Sequence, residues 1–169
     1  IGYQSLKGQT TGFANTALGY NSAFQLQTGQ ANVVIGFNTF RSADGLESGN
    51  TIVGKEAGYS INNDNADDNV FVGLSAGFGG TGRLYRSIAI GANALDATGA
   101  NDVAGAVAIG YDALTSLTSG GGNVAIGYQN SKSLTTGTQN TSVGNSANYY
   151  STGSNNITLG YQSNFYNVT

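Results

Sequence analysis

Asn123-Val124-Ala125-Ile126-Gly127-Tyr128 is one copy of a unit that recurs along the whole chain. The other copies of its first five positions are NTALG, NVVIG, NTIVG, NVFVG, SIAIG, AVAIG, NTSVG and NITLG. Their glycines are Gly19, Gly36, Gly54, Gly73, Gly91, Gly110, Gly144 and Gly160, and Ile1-Gly2 begins the chain inside a further copy. The steps from Gly2 onward run 17, 17, 18, 19, 18, 19, 17, 17 and 16 residues. A fixed period of this size marks a solenoid, in which each repeat is one coil stacked on the last.

Counting from the anchor glycine, position −1 is always Leu, Ile or Val, and position −3 is always Val, Ile or Thr. Such residues favour strand, and alternation puts −1 and −3 on one face. That face is expected to fill the coil. Position −2 lies on the other face and is apolar in seven copies: Ala17, Val34, Ile52, Phe71, Ala89, Ala108 and Ala125. A strand apolar on both sides is covered on both sides, and so thin a coil encloses little volume. These seven residues are therefore expected to form a seam between copies of the chain. The expected fold is an all-β parallel β-solenoid of about nine to ten short coils, assembled as an intertwined or side-by-side homotrimer.

Asn fills position −4 in seven copies, at Asn15, Asn32, Asn50, Asn69, Asn123, Asn140 and Asn156. Stacked about 4.8 Å apart, these amides are expected to form a hydrogen-bonded ladder rather than a ligand groove. Thr-Gly or Ser-Gly recurs, in five copies seven residues before the anchor, and its glycine is expected to supply the positive φ of a return turn. Position +1 is aromatic at Tyr3, Tyr20, Phe37, Tyr111, Tyr128 and Tyr161. Stacking along the axis is expected there.

Composition narrows the function. The chain has 169 residues, 27 of them Gly, with 9% charged residues and no Pro, Cys, Met, Trp or His. Without Cys there is no disulfide framework, and without His or Cys no nucleophilic triad of the usual kinds. The net charge of −3 argues against nucleic acid, and no apolar run is long enough for a transmembrane helix. Gly77 to Gly82 matches G-x-G-x-x-G, but the next strand follows too soon for a crossover helix. Residues 62–69 resemble a calcium loop only in composition. Asn140, Asn156 and Asn167 open glycosylation sequons, the first two at ladder positions. No catalytic residue, cofactor site or metal site is assigned, and an enzyme is not expected.

The chain reads as a single domain, 1–169, excerpted from a longer fibre. Coils over 1–39 and 106–169 are regular, whereas those over 40–105 carry enlarged loops. The enlarged part holds eight of the nine carboxylates and four of the six basic residues. Insertions in repeat proteins gather on a binding face. The candidate receptor-contact loops are therefore Tyr59, Asp64, Asp67, Asp68, Phe78, Arg83, Tyr85 and Arg86.

The units NVAIGYQ, NTALGYNSA and SIAIGANAL, each with a Thr-Gly turn, resemble the repeats of bacteriophage tail fibres. They are also similar to the left-handed β-roll head repeats of trimeric autotransporter adhesins, whose period is shorter. Lys55, Ala92 and Asn145 depart from the aromatic position, and Ala106 from the Asn position. The resemblance implies a homotrimer on a virion tail fibre or a cell surface, attaching to a cell-surface glycan or protein receptor. A bacterial surface adhesin or filament is the alternative, ahead of an ice-binding solenoid or a tail-spike depolymerase. No receptor-binding residue is carried over, because the shared motif is the scaffold.

Overall fold

The computed structural model describes residues 1–150 and 152–164. They form a parallel β-solenoid, and among them there is no helix. The strands in chain order are β1 (Thr16–Leu18), β2 (Val33–Ile35), β3 (Thr51–Val53), β4 (Val70–Val72), β5 (Leu84–Tyr85), β6 (Ile88–Ile90), β7 (Val103–Ala104), β8 (Val107–Ile109), β9 (Val124–Ile126), β10 (Thr141–Val143) and β11 (Ile157–Leu159). Nine of them stack into one sheet in the order β1-β2-β3-β4-β6-β8-β9-β10-β11. Every pairing is in register, for instance Val107↔Val124, Ala108↔Ala125 and Ile109↔Ile126. Like residues therefore form columns along one axis, and the nine strands make eight full turns. β5 and β7 form a second, two-stranded sheet in the enlarged coils.

The sequence expectation for which face turns inward is overturned. The middle residue of every main strand is buried, while its −3 and −1 neighbours are half-buried or exposed. Ala89 is 0% exposed, whereas Ile90 is 38% exposed. Ala17, Val34, Ile52, Phe71, Ala89, Ala108 and Ala125 are thus the interior of a single chain's coil. They are not free to line a seam between chains.

The interior is filled by exchange of volume between columns. Positions −2 and +4 share the coil interior, and where one is large the other is small. Val34 is matched with Phe40, Ile52 with Gly58, Phe71 with Gly77, Ala89 with Leu95, and Ala108 with Leu114. A methyl group on Gly77 would lie 2.7 Å from the Phe71 ring. Close packing in so thin a core allows no second large side chain at that level. Leu26, Ile61, Leu117 and Leu134 close the coil from position +7.

Each coil bends through non-glycine residues in the left-handed region. After the anchor these fall at +2 and +4, as at Asn21 (φ 51) and Ala23 (φ 49), or Asp112 (φ 53) and Leu114 (φ 51). Another precedes the strand at −5, as at Ala31 (φ 56) and Gln139 (φ 57). Each such residue costs about 1 kcal/mol or more. Hydrogen bonds that alternate between neighbours offset the strain. Asn21 N donates back to Tyr3 O at 3.0 Å, and Ala23 N donates forward to Thr39 O at 3.0 Å. The Ser-Gly glycines Gly49 (φ 71) and Gly120 (φ 99) have the expected positive φ, but the Thr-Gly glycines differ from expectation. Gly29 and Gly137 do not have positive φ, and what requires glycine there is proximity. A methyl on either would sit 2.2 Å from the carbonyl oxygen of the next coil.

The asparagine ladder runs through the solenoid. Asn50 Nδ2 donates to Asn32 Oδ1 at 3.1 Å, and Asn69 Nδ2 to Asn50 Oδ1 at 2.9 Å. The backbone amide of each rung donates to the same oxygen, as Asn140 N does to Asn123 Oδ1 at 3.1 Å. The second amide hydrogen reaches the −7 carbonyl of the next coil, Glu47 O from Asn32 and Ala66 O from Asn50, both at 2.9 Å. Each buried amide is thereby satisfied along the axis. The rungs are continued by Ser87 and then broken at Ala106, whose methyl offers no acceptor.

Position −7 is Gly in five coils, but Glu47 in the third. Its side chain is 0% exposed. Oε2 accepts a hydrogen bond from Gly45 N at 2.9 Å, and Oε1 has no partner. Burial raises its pKa above the usual 4.5, and the nearby Asp64 and Asp44 charges push the same way. A raised folded pKa means that ionisation opposes folding. The contribution of Glu47 to stability is then greatest in acid and falls as the pH rises through its folded pKa. Glu47→Gln is expected to melt higher than the parent at pH 7, with the gain disappearing below the ordinary carboxylate range. Thermal melts at pH 7 and pH 4 check this. A gain that is equal at both pH values would contradict it.

Candidate functional site

The surface carries three features built by the repeat. The first is the outward sheet face. Position −1 is an unbroken aliphatic column there, from Leu18 through Ile35, Val72, Ile90 and Ile109 to Leu159, and position −3 beside it is Val or Ile except at Thr16, Thr51 and Thr141. Leu18 at one end is 46% exposed. Within the sheet each side chain is shielded only by its equals above and below. Nine three-residue strands about 4.8 Å apart give a footprint of about 400 Å². The largest apolar patch on a soluble monomer is commonly of this size and is often functional.

The second feature is aromatic. Tyr3, Tyr20 and Phe37 stack at 5.3 Å between ring centroids, and Tyr111 and Tyr128 at 5.4 Å. Stacked rings cover one another's faces and leave only edges and hydroxyls outward. This suits a structural stack better than a platform for sugar rings, which need an open face. A separate column at position +5 interleaves cations and rings. Lys7 lies 5.4 Å and Arg41 5.3 Å from the Phe24 centroid, Arg41 also caps Tyr59 at 5.8 Å, and Tyr59 stacks on Phe78 at 5.3 Å. Two predicted contact residues, Tyr59 and Phe78, thus belong to this column, each with one ring face against the other.

The third feature lies in the enlarged coils. Asp64 Oδ1 accepts from Leu46 N at 3.2 Å, and Asp67 Oδ1 from Ser48 N at 2.7 Å, each bracing the preceding coil. The remaining predicted residues, Asp68, Arg83, Tyr85 and Arg86, join Asp67 and Asn65 around a cleft of about 210 Å³. The predicted patch is therefore divided. Five of its eight members share the cleft, two form the aromatic column, and Asp64 serves as a brace. Asn65 is an addition that sequence reasoning did not single out.

β5 holds the cleft's wall. Arg83 lies with its guanidinium carbon 4.4 Å from the Tyr85 centroid. Its Nη2 pairs with Asp102 Oδ2 at 3.3 Å, while its backbone N donates to Asp102 Oδ1 at 2.9 Å. Arg86 Nε stands 3.8 Å from Asp68 Oδ2, both side chains well exposed, so that pair contributes little to stability. The tighter ion pair lies elsewhere, between Lys132 Nζ and Asp112 Oδ2 at 2.8 Å. Burial disfavours the Asp112 carboxylate, but hydrogen bonds from Lys132 and Asn93 outweigh it and hold its pKa below the ordinary value.

Among the described residues no group of three or more acidic side chains is placed to hold a metal ion. Nor is any helix among them long and apolar enough to cross a membrane. Asn140 and Asn156 are rungs of the ladder, their amides already bonded. Asn167 lies outside the described residues. No protein-family model matches this chain, and neither does any curated protein or solved structure.

Proposed function

We propose that this chain is a segment of a homotrimeric attachment fibre displayed on a virion tail or cell surface, acting as a stiff spacer that presents its enlarged loops to a surface receptor. The observation that carries this reading is the outward aliphatic face. The coil interior is already closed by the −2, +4 and +7 columns, yet the opposite side of the sheet carries an unbroken aliphatic column at −1 along all nine strands, with Val or Ile beside it at −3 in six of them. A chain with polar solvent-facing strands would need no partner. Three copies packed strip to strip would remove it from water at about 25 cal/mol per Å² of apolar area, before the costs of association. The repeat that generates the strip generates it in every coil, which suits an extended filament of parallel copies. Nothing in this role requires catalysis or a cofactor.

Sedimentation equilibrium of the chain tests the reading. The expected mass is three times that of the chain. A particle of one chain mass at all concentrations would overturn it.

A further inference from the structure

We infer that the cleft between the fourth and fifth coils binds a neutral hexose unit of a surface polysaccharide. This rests on the fibre reading above and names the receptor chemistry of its enlarged loops.

The cleft is built where the repeat departs most from its pattern. In the −5 column, Asp68 and Arg86 are the only charged residues, and Gly49 and Gly105 flank them. Gly49 gives the Asp68 carboxylate room, since a methyl there would lie 2.6 Å from Oδ1. At Gly105 nothing stands within 4 Å of where a side chain would begin, so that border is open. The two-stranded sheet of β5 and β7 occurs only here and fixes the backbone of Tyr85 through Gly105 N, which donates to Tyr85 O at 3.1 Å. Arg83 is anchored on both Tyr85 and Asp102, which leaves the wall preorganised.

Hydrogen-bonding capacity is left over on several sides. Among the described residues the Tyr85 hydroxyl, the Asn65 side-chain amide, Asp67 Oδ2 and both Arg86 Nη groups have no hydrogen-bond partner. They supply donors and acceptors together. Asp67 and Asp68 face Arg86 and an Arg83 whose charge is already met by Asp102, so the lining offers no net positive charge to an anion. A phosphate or sulfate would meet Asp67 and Asp68, and a metal cation would meet Arg86 and, among the described residues, no grouped set of three acidic ligands. A neutral polyol, each hydroxyl of which donates and accepts, matches the set without an unpaired charge. The volume of about 210 Å³ is on the scale of one sugar ring rather than an oligosaccharide.

Saturation-transfer difference NMR on the chain in its native assembly tests this, with the methyl glycosides of glucose, galactose and mannose as probes. Transfer to at least one of them is expected. Arg86→Gln and Tyr85→Phe, which keep the exposed stem and the ring under Arg83, are each expected to weaken it about tenfold while circular dichroism and particle mass stay those of the parent. The inference is overturned if none of the three receives saturation, if transfer survives both substitutions unchanged, or if inorganic sulfate displaces the sugar. Particle mass reports on the fibre separately. A trimer without transfer overturns the cleft alone, and a monomer that binds a hexoside overturns the fibre alone.

Discussion

Gly127→Ala is expected to prevent the solenoid from forming, or to destabilise it by more than about 4 kcal/mol. Two penalties act together. The backbone at Gly127 has φ +138, a region that side-chain-bearing residues rarely enter, and an added methyl would lie 2.3 Å from Gly144 O. Neither atom can retreat, because Gly127 N donates to Ile109 O at 2.7 Å and Gly144 N to Ile126 O at 2.8 Å. Moving one rung moves the next. The same contact recurs along the anchor column, at 2.1 Å for Gly19 and 2.3 Å for Gly110. Gly160 keeps the unusual φ, +112, but has nothing within 4 Å, so its alanine variant should cost less. Gly99→Ala, in open space, should fall within about 0.5 kcal/mol of the parent. Denaturant melts followed by far-UV circular dichroism rank the three. A Gly127→Ala variant as stable as Gly99→Ala would contradict the packing of the coils.

Much of this was legible in the residues. The spacing of Gly19 through Gly160 located all nine main strands, and the repeated Asn at −4 foretold a ladder that the structure forms. Tyr3, Tyr20 and Phe37 stack as their spacing implies. The inward face was misjudged for a physical reason. Ala89, Ala108 and Ala125 resemble contact residues of a close-packed seam, and the uniform Val and Ile at −3 and −1 resemble a core. A coil this thin inverts that rule. Its −2 and +4 columns compete for the same interior space, so −2 is Ala where +4 is Leu, and +4 is Gly where −2 is Ile or Phe. Leu95 and Leu114 opposite Ala89 and Ala108, and Gly77 opposite Phe71, carried that signal in the sequence. Read as a pair of columns, they would have placed −2 inside.

The loops were harder to read. Asp64 and Asp67 look like receptor contacts by composition, yet each braces a backbone amide of the preceding coil, a role set by three-dimensional stacking across 18 or 19 residues. The cleft itself depends on β5 pairing with β7, a departure from the repeat that no period announces. Likewise the Thr-Gly glycines were placed correctly but for the wrong cause. Carbonyl proximity from the next coil, rather than turn conformation, demands them at Gly29 and Gly137.

Two neighbouring residues in β8 separate inside from outside. Ala108 is 0% exposed and faces Leu114, whereas Ile109 stands on the outward strip. Ala108→Glu would bury an unpaired carboxylate and overpack the level at once, at a cost of several kcal/mol. Ile109→Glu would set a charge on a face that is open in one chain and that the proposed trimer closes. The direct measurement is circular dichroism and sedimentation of these two variants side by side. Ala108→Glu is predicted to lose the β spectrum. Ile109→Glu is predicted to keep it while the particle falls from three chain masses to one. A folded Ala108→Glu variant would contradict the inward column, and an Ile109→Glu variant that keeps the full mass of the assembly would contradict the outward seam.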